Sequence, residues 1–197
     1  MEPPGLGFFM GKKRLVILVA ATMFFLGFEM GGYQMVVADV SKEFGTNLTG
    51  LGLMVAAQYV SLILLPAVFG AVSDRVGRKR VMLPFGILFV AGCAAAAASG
   101  GVGWFAAATV LIGAGFSVFE VFATALMPDL CPEERARYIN ICQGSLSFGA
   151  VLGPLVILGY EYLFGPSWRV MYLICGAAFA ILLVPLWRSV FPVLSAE

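Results

Sequence analysis

The chain has 197 residues, of which 61% are hydrophobic and 12% charged, with a formal net charge of +1 and no histidine. A soluble domain is about a quarter charged residues, so the composition excludes a soluble globular enzyme and predicts an all-α integral membrane protein with a mean hydropathy of +0.98. The near-zero charge argues against a nucleic-acid partner. The missing histidines and the absence of a Cys-x-x-Cys pair among Cys93, Cys131, Cys142 and Cys175 leave no expected metal site, disulfide or cofactor.

A helix needs roughly 20 apolar residues to cross the hydrocarbon core, and six such runs fit between the charged breaks. Residues 1–14 read as a tail, the first ten disordered, closing on Lys12, Lys13 and Arg14. The six-helix unit covers 15–188, with spans at 15–38, 51–72, 81–99, 104–127, 138–158 and 169–187, and 189–197 form a second tail. The first run is too long for a signal peptide and no small-residue cleavage site follows it. Asp39, Lys42 and Glu43 are expected in an outside loop, Gly100 to Gly103 and Glu161 to Ser167 in outside turns, and Cys131 to Arg137 in an inside loop. With this layout Lys12, Lys13, Arg14, Arg75, Arg78, Lys79, Arg80, Arg135, Arg137 and Arg188 lie inside, and Lys42 and Arg169 outside. Basic residues favour the cytoplasmic side, so both termini are expected in the cytoplasm of a cell-membrane protein.

Between the second and third runs, Gly70-Ala71-Val72-Ser73-Asp74-Arg75-Val76-Gly77-Arg78-Lys79-Arg80 places five charges in seven residues. Charges are costly in hydrocarbon, so the stretch is expected as a short loop in water. Its Gly70, Asp74, Arg75, Gly77, Arg78 and Lys79 fill every fixed position of a pattern similar to the loop signature between helices two and three of major facilitator superfamily transporters. The resemblance covers nearly the whole chain but one six-helix half of that fold. It implies that Gly70 and Asp74 face a second half and that Arg78 pairs with Asp129 or Glu133 as a conformational gate.

A weak repeat at an offset of 90 sets Ala38–Glu43 over Pro128–Glu133 and the first span over the fourth. Two three-helix units would then face opposite sides, a 3+3 inverted repeat.

Two acids fall inside apolar spans, Glu29 and Glu120, with no basic residue in those spans. Each must face water, find a partner or stay protonated, which suits proton binding. Phe116, Glu120, Thr124 and Met127 share one helical face, and Tyr33 follows Glu29 by one turn. Gln143 and Ser147 are spaced one turn apart on the fifth span, where interhelical hydrogen bonding is the alternative role. Gly113 to Glu120 resembles the fourth helix of sugar–proton symporters related to the fucose permease, which implies that Glu120, Glu29, Tyr33, Thr124, Gln143 and Phe116 line a proton-coupled solute cavity. Gly149 to Pro154 also resembles the fifth-helix motif of drug–proton antiporters, although Thr109 stands where those carry a base.

These features point to a secondary transporter of a small polar solute such as a sugar, working in a lipid bilayer with a second six-helix half, its own copy or another chain. The alternatives are a non-transporting scaffold or regulatory subunit, or half of a drug–proton antiporter.

Overall fold

A computed structural model describes residues 6–130, 132–189 and 191, with side chains from Lys12 onward except Gly70–Val76. Six long helices account for nearly all of it: α1 (Leu6–Glu43), α2 (Leu48–Val76), α3 (Arg78–Ala97), α4 (Val102–Leu130), α5 (Arg135–Phe164) and α6 (Arg169–Arg188), with a 3₁₀ turn at Pro132–Glu134 before α5. All six are long and apolar enough to cross a membrane. In hydrocarbon backbone N–H and C=O groups must be satisfied within the protein, which favours helices. Pro66, Pro84, Pro128, Pro154 and Pro185 lie inside them, and each withdraws one donor from the carbonyl four residues earlier, which membrane helices tolerate.

The helices run further than the spans expected from hydropathy. Residues 6–10 are helical rather than disordered. Asp39, Lys42 and Glu43 sit on the last turns of α1, with Lys42 bonded to Asp39 at 2.8 Å, and the connection shrinks to residues 44–47. Glu161–Phe164 continue α5. Hydropathy marks where hydrocarbon ends, whereas a helix continues until a residue breaks its backbone. Gly77 is such a breaker. The motif stretch is two helices meeting at one residue, not a loop, and Gly77 has φ 90 and ψ 138, a region essentially reserved for glycine. Cys131 lies outside the described residues.

Packing follows the repeat. Helix α1 lies against α5 and α6, α4 against α2 and α3, and α3 against α6. Exchanging α1 with α4, α2 with α5 and α3 with α6 maps this pattern onto itself. The α1·α5 crossing is closest: a Cβ on Gly27 or Gly31 would overlap the backbone carbonyls of Leu146 or Ala150, and one on Gly149 or Gly153 those of Phe24 or Phe28. Its counterpart, α2·α4, closes on Gly113, where a Cβ would overlap the carbonyl of Gln58. Between them, Phe89, Phe105, Phe119, Tyr172 and Phe179 fill the core.

Candidate functional site

Five of the six cavity candidates separate into two groups, and the sixth, Phe116, lies in the core. Glu120 and Thr124 are one turn apart on α4 and partly exposed. Gln143, from α5, donates to Thr124 Oγ1 at 3.2 Å and also lies beside Glu120. The three make a polar strip between two helices, with Asn140 and Ser147 exposed one turn either side of Gln143 and the apolar Val121 and Phe148 exposed nearby in sequence. Phe116 and Met127 belong to the core and do not share this exposure. Their turn of the helix tips them toward the packed side, so the expected four-residue face narrows to Glu120 and Thr124.

Glu29 and Tyr33 lie elsewhere. Glu29 is 0% exposed and Tyr33 2%; both are inside the six-helix unit. Gln58 Nε2, from α2, donates to Glu29 Oε1 at 3.2 Å and Oε2 at 3.1 Å. Helix α1 is continuous through Gly27, Gly31 and Gly32, whose lack of side chains serves close packing on α5 and on Met171 of α6. The repeat accounts for the division. At the offset of 90, Glu29 overlies Phe119, and both are fully buried, whereas Met30 overlies Glu120, and both are partly exposed. One residue is about 100° of helix rotation, enough to turn one acid inward and the other outward.

The motif residues act at the helix ends. The Arg78 guanidinium pairs with Asp129 and also donates to the Ala125 carbonyl, joining the start of α3 to the end of α4. This is one of the two partners expected for it. Lys79 Nζ donates to the carbonyl oxygens of Trp187 and Ser189, both at 2.6 Å, and lies 5.5 Å from the Phe191 ring centre. A cation there meets the unpaired carbonyls and negative pole at the end of α6. The side chains of Gly70, Asp74 and Arg75 lie outside the described residues, so the expected contacts of that part of the motif do too.

Sequence reasoning missed the matching cluster at the opposite end. Arg169, at the start of α6, forms an ion pair with Glu43 at the end of α1, 2.8 Å apart, and donates to the Ser99 carbonyl beyond α3 at 3.0 Å. The indole Nε1 of buried Trp168 donates to the same Glu43 at 2.5 Å. The available signal was the charge count, in which Arg169 is an outside base, and its offset of 91 from Arg78.

Six apolar helices in two interlocked triplets, with the motif arginine clamped onto α4, define a polytopic membrane protein. The family model described as Major Facilitator Superfamily matches residues 17–197, and the chain belongs to that superfamily. It is 30% identical over 167 residues to the probable metabolite transport protein CsbC of Bacillus subtilis (strain 168), covering 81% of this chain and 35% of that one. Among solved structures it resembles the proton:xylose symporter XylE, with a TM-score of 0.75 and 17% identity over 90% of this chain and 44% of that one. It also resembles the E. coli fucose:proton symporter FucP, with a TM-score of 0.71 and 18% identity over 90% of this chain and 49% of that one. The chain thus spans about a third of the curated relative and less than half of each solved neighbour.

Proposed function

We propose that this chain supplies one six-helix half of a secondary transporter that moves a small polar solute, of the sugar class, together with a proton. The observation that carries the reading is the Glu120–Thr124–Gln143 strip: a carboxyl, a hydroxyl and an amide are grouped on a partly exposed flank of α4 and α5. A carboxyl and an amide can bind sugar hydroxyls as acceptor and donor, and the carboxyl can also take up and release a proton. XylE is a proton:xylose symporter and FucP a fucose:proton symporter, which supports sugar and proton as the pair. In this reading a second six-helix half covers the strip, both termini are cytoplasmic, and Arg78–Asp129 holds one conformation at the cytoplasmic end while the halves rock. Gly70 and Asp74 would then border the second half.

The test is uptake of labelled xylose and fucose into proteoliposomes, driven by an inward proton gradient, with the second half present. Glu120→Gln fixes the neutral state while keeping size and hydrogen bonding. It is expected to abolish gradient-driven accumulation while sparing exchange, with a smaller effect from Glu29→Gln. Undiminished accumulation by Glu120→Gln overturns the proton assignment, and no accumulation of either sugar by the unmodified protein overturns the solute class.

A further inference from the structure

Glu29 holds a place that its repeat partner gives to the core residue Phe119. An ionised carboxylate in such a place needs a cation, because an unpaired charge is far costlier to bury than a neutral carboxyl. No lysine or arginine occurs at 15–41, 48–69, 81–130, 138–164 or 170–187. The groups within electrostatic or hydrogen-bonding reach of Glu29 are Tyr33 on α1, Gln58 on α2, Cys93 on α3, and Tyr172 and Cys175 on α6. The acid of α4, Glu120, stands on the exposed flank instead. These neighbours are hydroxyls, thiols and one amide. Among the described residues the amide of Gln58 is the group hydrogen-bonded to the carboxyl, the Tyr33 and Tyr172 hydroxyls being buried without a partner.

The hydrogen-bond count points the same way. Gln58 Nε2 donates toward both carboxyl oxygens, yet Gln58 Oε1, on the same amide carbon, is buried with no donor. An ionised carboxylate accepts only and cannot fill that vacancy, whereas a protonated one carries an O–H. A rotation of the amide plane would set Oε1 opposite one carboxyl oxygen and keep Nε2 opposite the other. The backbone of Gln58 is held for this by its close approach to Gly113 of α4.

We propose that Glu29 carries a proton as a standing feature of the fold, and that Gln58 is its positioning partner in an acid–amide ring tying α1 to α2. The Glu29 O–H donates to Gln58 Oε1, and Gln58 Nε2 donates to the other carboxyl oxygen. Glu29 is then a neutral strut inside the half, separate from the partly exposed Glu120, and this assignment does not rest on the transport reading. It needs no ion, no void and no movement of a helix.

Infrared spectroscopy of the full chain in liposomes at neutral pH tests this through the protonated-carboxyl stretching band. The band is expected in the unmodified protein, lost in Glu29→Gln, and kept in Glu120→Gln. In Gln58→Met it should move to higher frequency, as a carboxyl that loses its acceptor does. Should Gln58→Met not fold, Gln58→Asn, which withdraws the amide by one methylene, reads the same shift. A band untouched by Glu29→Gln means that Glu29 is ionised and overturns the proposal. A Glu29 band that stays in place in the folded Gln58 variant overturns the ring.

Discussion

The two interlocked crossings of the unit, α1 on α5 and α4 on α2, are related by the repeat but not built alike. The first brings two glycines from each helix against the other's backbone, whereas among the described residues the second closes on the single glycine Gly113, with Ser117 Oγ reaching the Ser61 carbonyl at 3.4 Å. Without a hydrophobic drive between helices in lipid, association rests on close van der Waals contact, and small residues permit it. The inference is that α1·α5 forms the rigid spine of the half. The α2·α4 crossing, next to the Glu29–Gln58 pair, relies more on polar contacts. The same symmetry with unequal execution appears at the two ends, where Arg78–Asp129 has side chains 19% and 28% exposed and Arg169–Glu43 has 35% and 42%.

The comparison breaks most sharply at the spine. Gly27→Leu or Gly149→Leu should abolish a monodisperse folded species in detergent, read by fluorescence-detected size exclusion. Even alanine there should cost about 3 kcal/mol by overpacking against an immovable backbone. Gly113→Ala, with a shallower overlap, should cost roughly 1–2 kcal/mol, measured by thermal unfolding. Equal losses at Gly113 and Gly149 would remove the distinction between the crossings. Glycines of α5 with open space around them, Gly144 and Gly159, serve as the control, since alanine there should be neutral or stabilise the helix by about 0.5–1 kcal/mol.

Gly77→Ala should come next, at about 1–3 kcal/mol, because its backbone conformation disfavours any side chain although the space is open. The same loss in stability from Gly100→Ala, a connection glycine with open space and no positive φ, would show that conformation is not the cause.

The ion pairs sharpen the comparison at the smallest scale. Double-mutant cycles with Arg78→Met and Asp129→Asn, and with Arg169→Met and Glu43→Gln, should return coupling of about 1 kcal/mol or less in each case. The less exposed Arg78 pair should give the larger value and the weaker salt dependence. A larger coupling at Arg169 would make the Trp168–Glu43 bond, rather than exposure, the deciding factor.

Much of this architecture is legible in residue order. Six apolar runs separated by charge, the fixed positions around Gly77, and the offset of 90 require only hydrophobicity and local spacing, which act along the chain. The Arg78–Asp129 pair was also within reach, because both residues sit at helix ends that the connections bring to one side. The extents of the helices were not, since a helix outruns the hydrocarbon until a residue such as Gly77 stops it. Nor was the orientation of the two acids. Composition places Glu29 and Glu120 alike in apolar helices. Which way each points depends on the rotation at which α1 locks onto α5 and α4 onto α2, and a single residue of offset carries a side chain about 100° around the axis. That rotation is set by glycine contacts between residues far apart in the chain, Gly27 on Leu146 and Gly149 on Phe24 for α1·α5, and Gly113 on Gln58 for α2·α4. Tertiary packing therefore decided that one acid stands on an open flank beside Gln143 and the other lies sealed against Gln58.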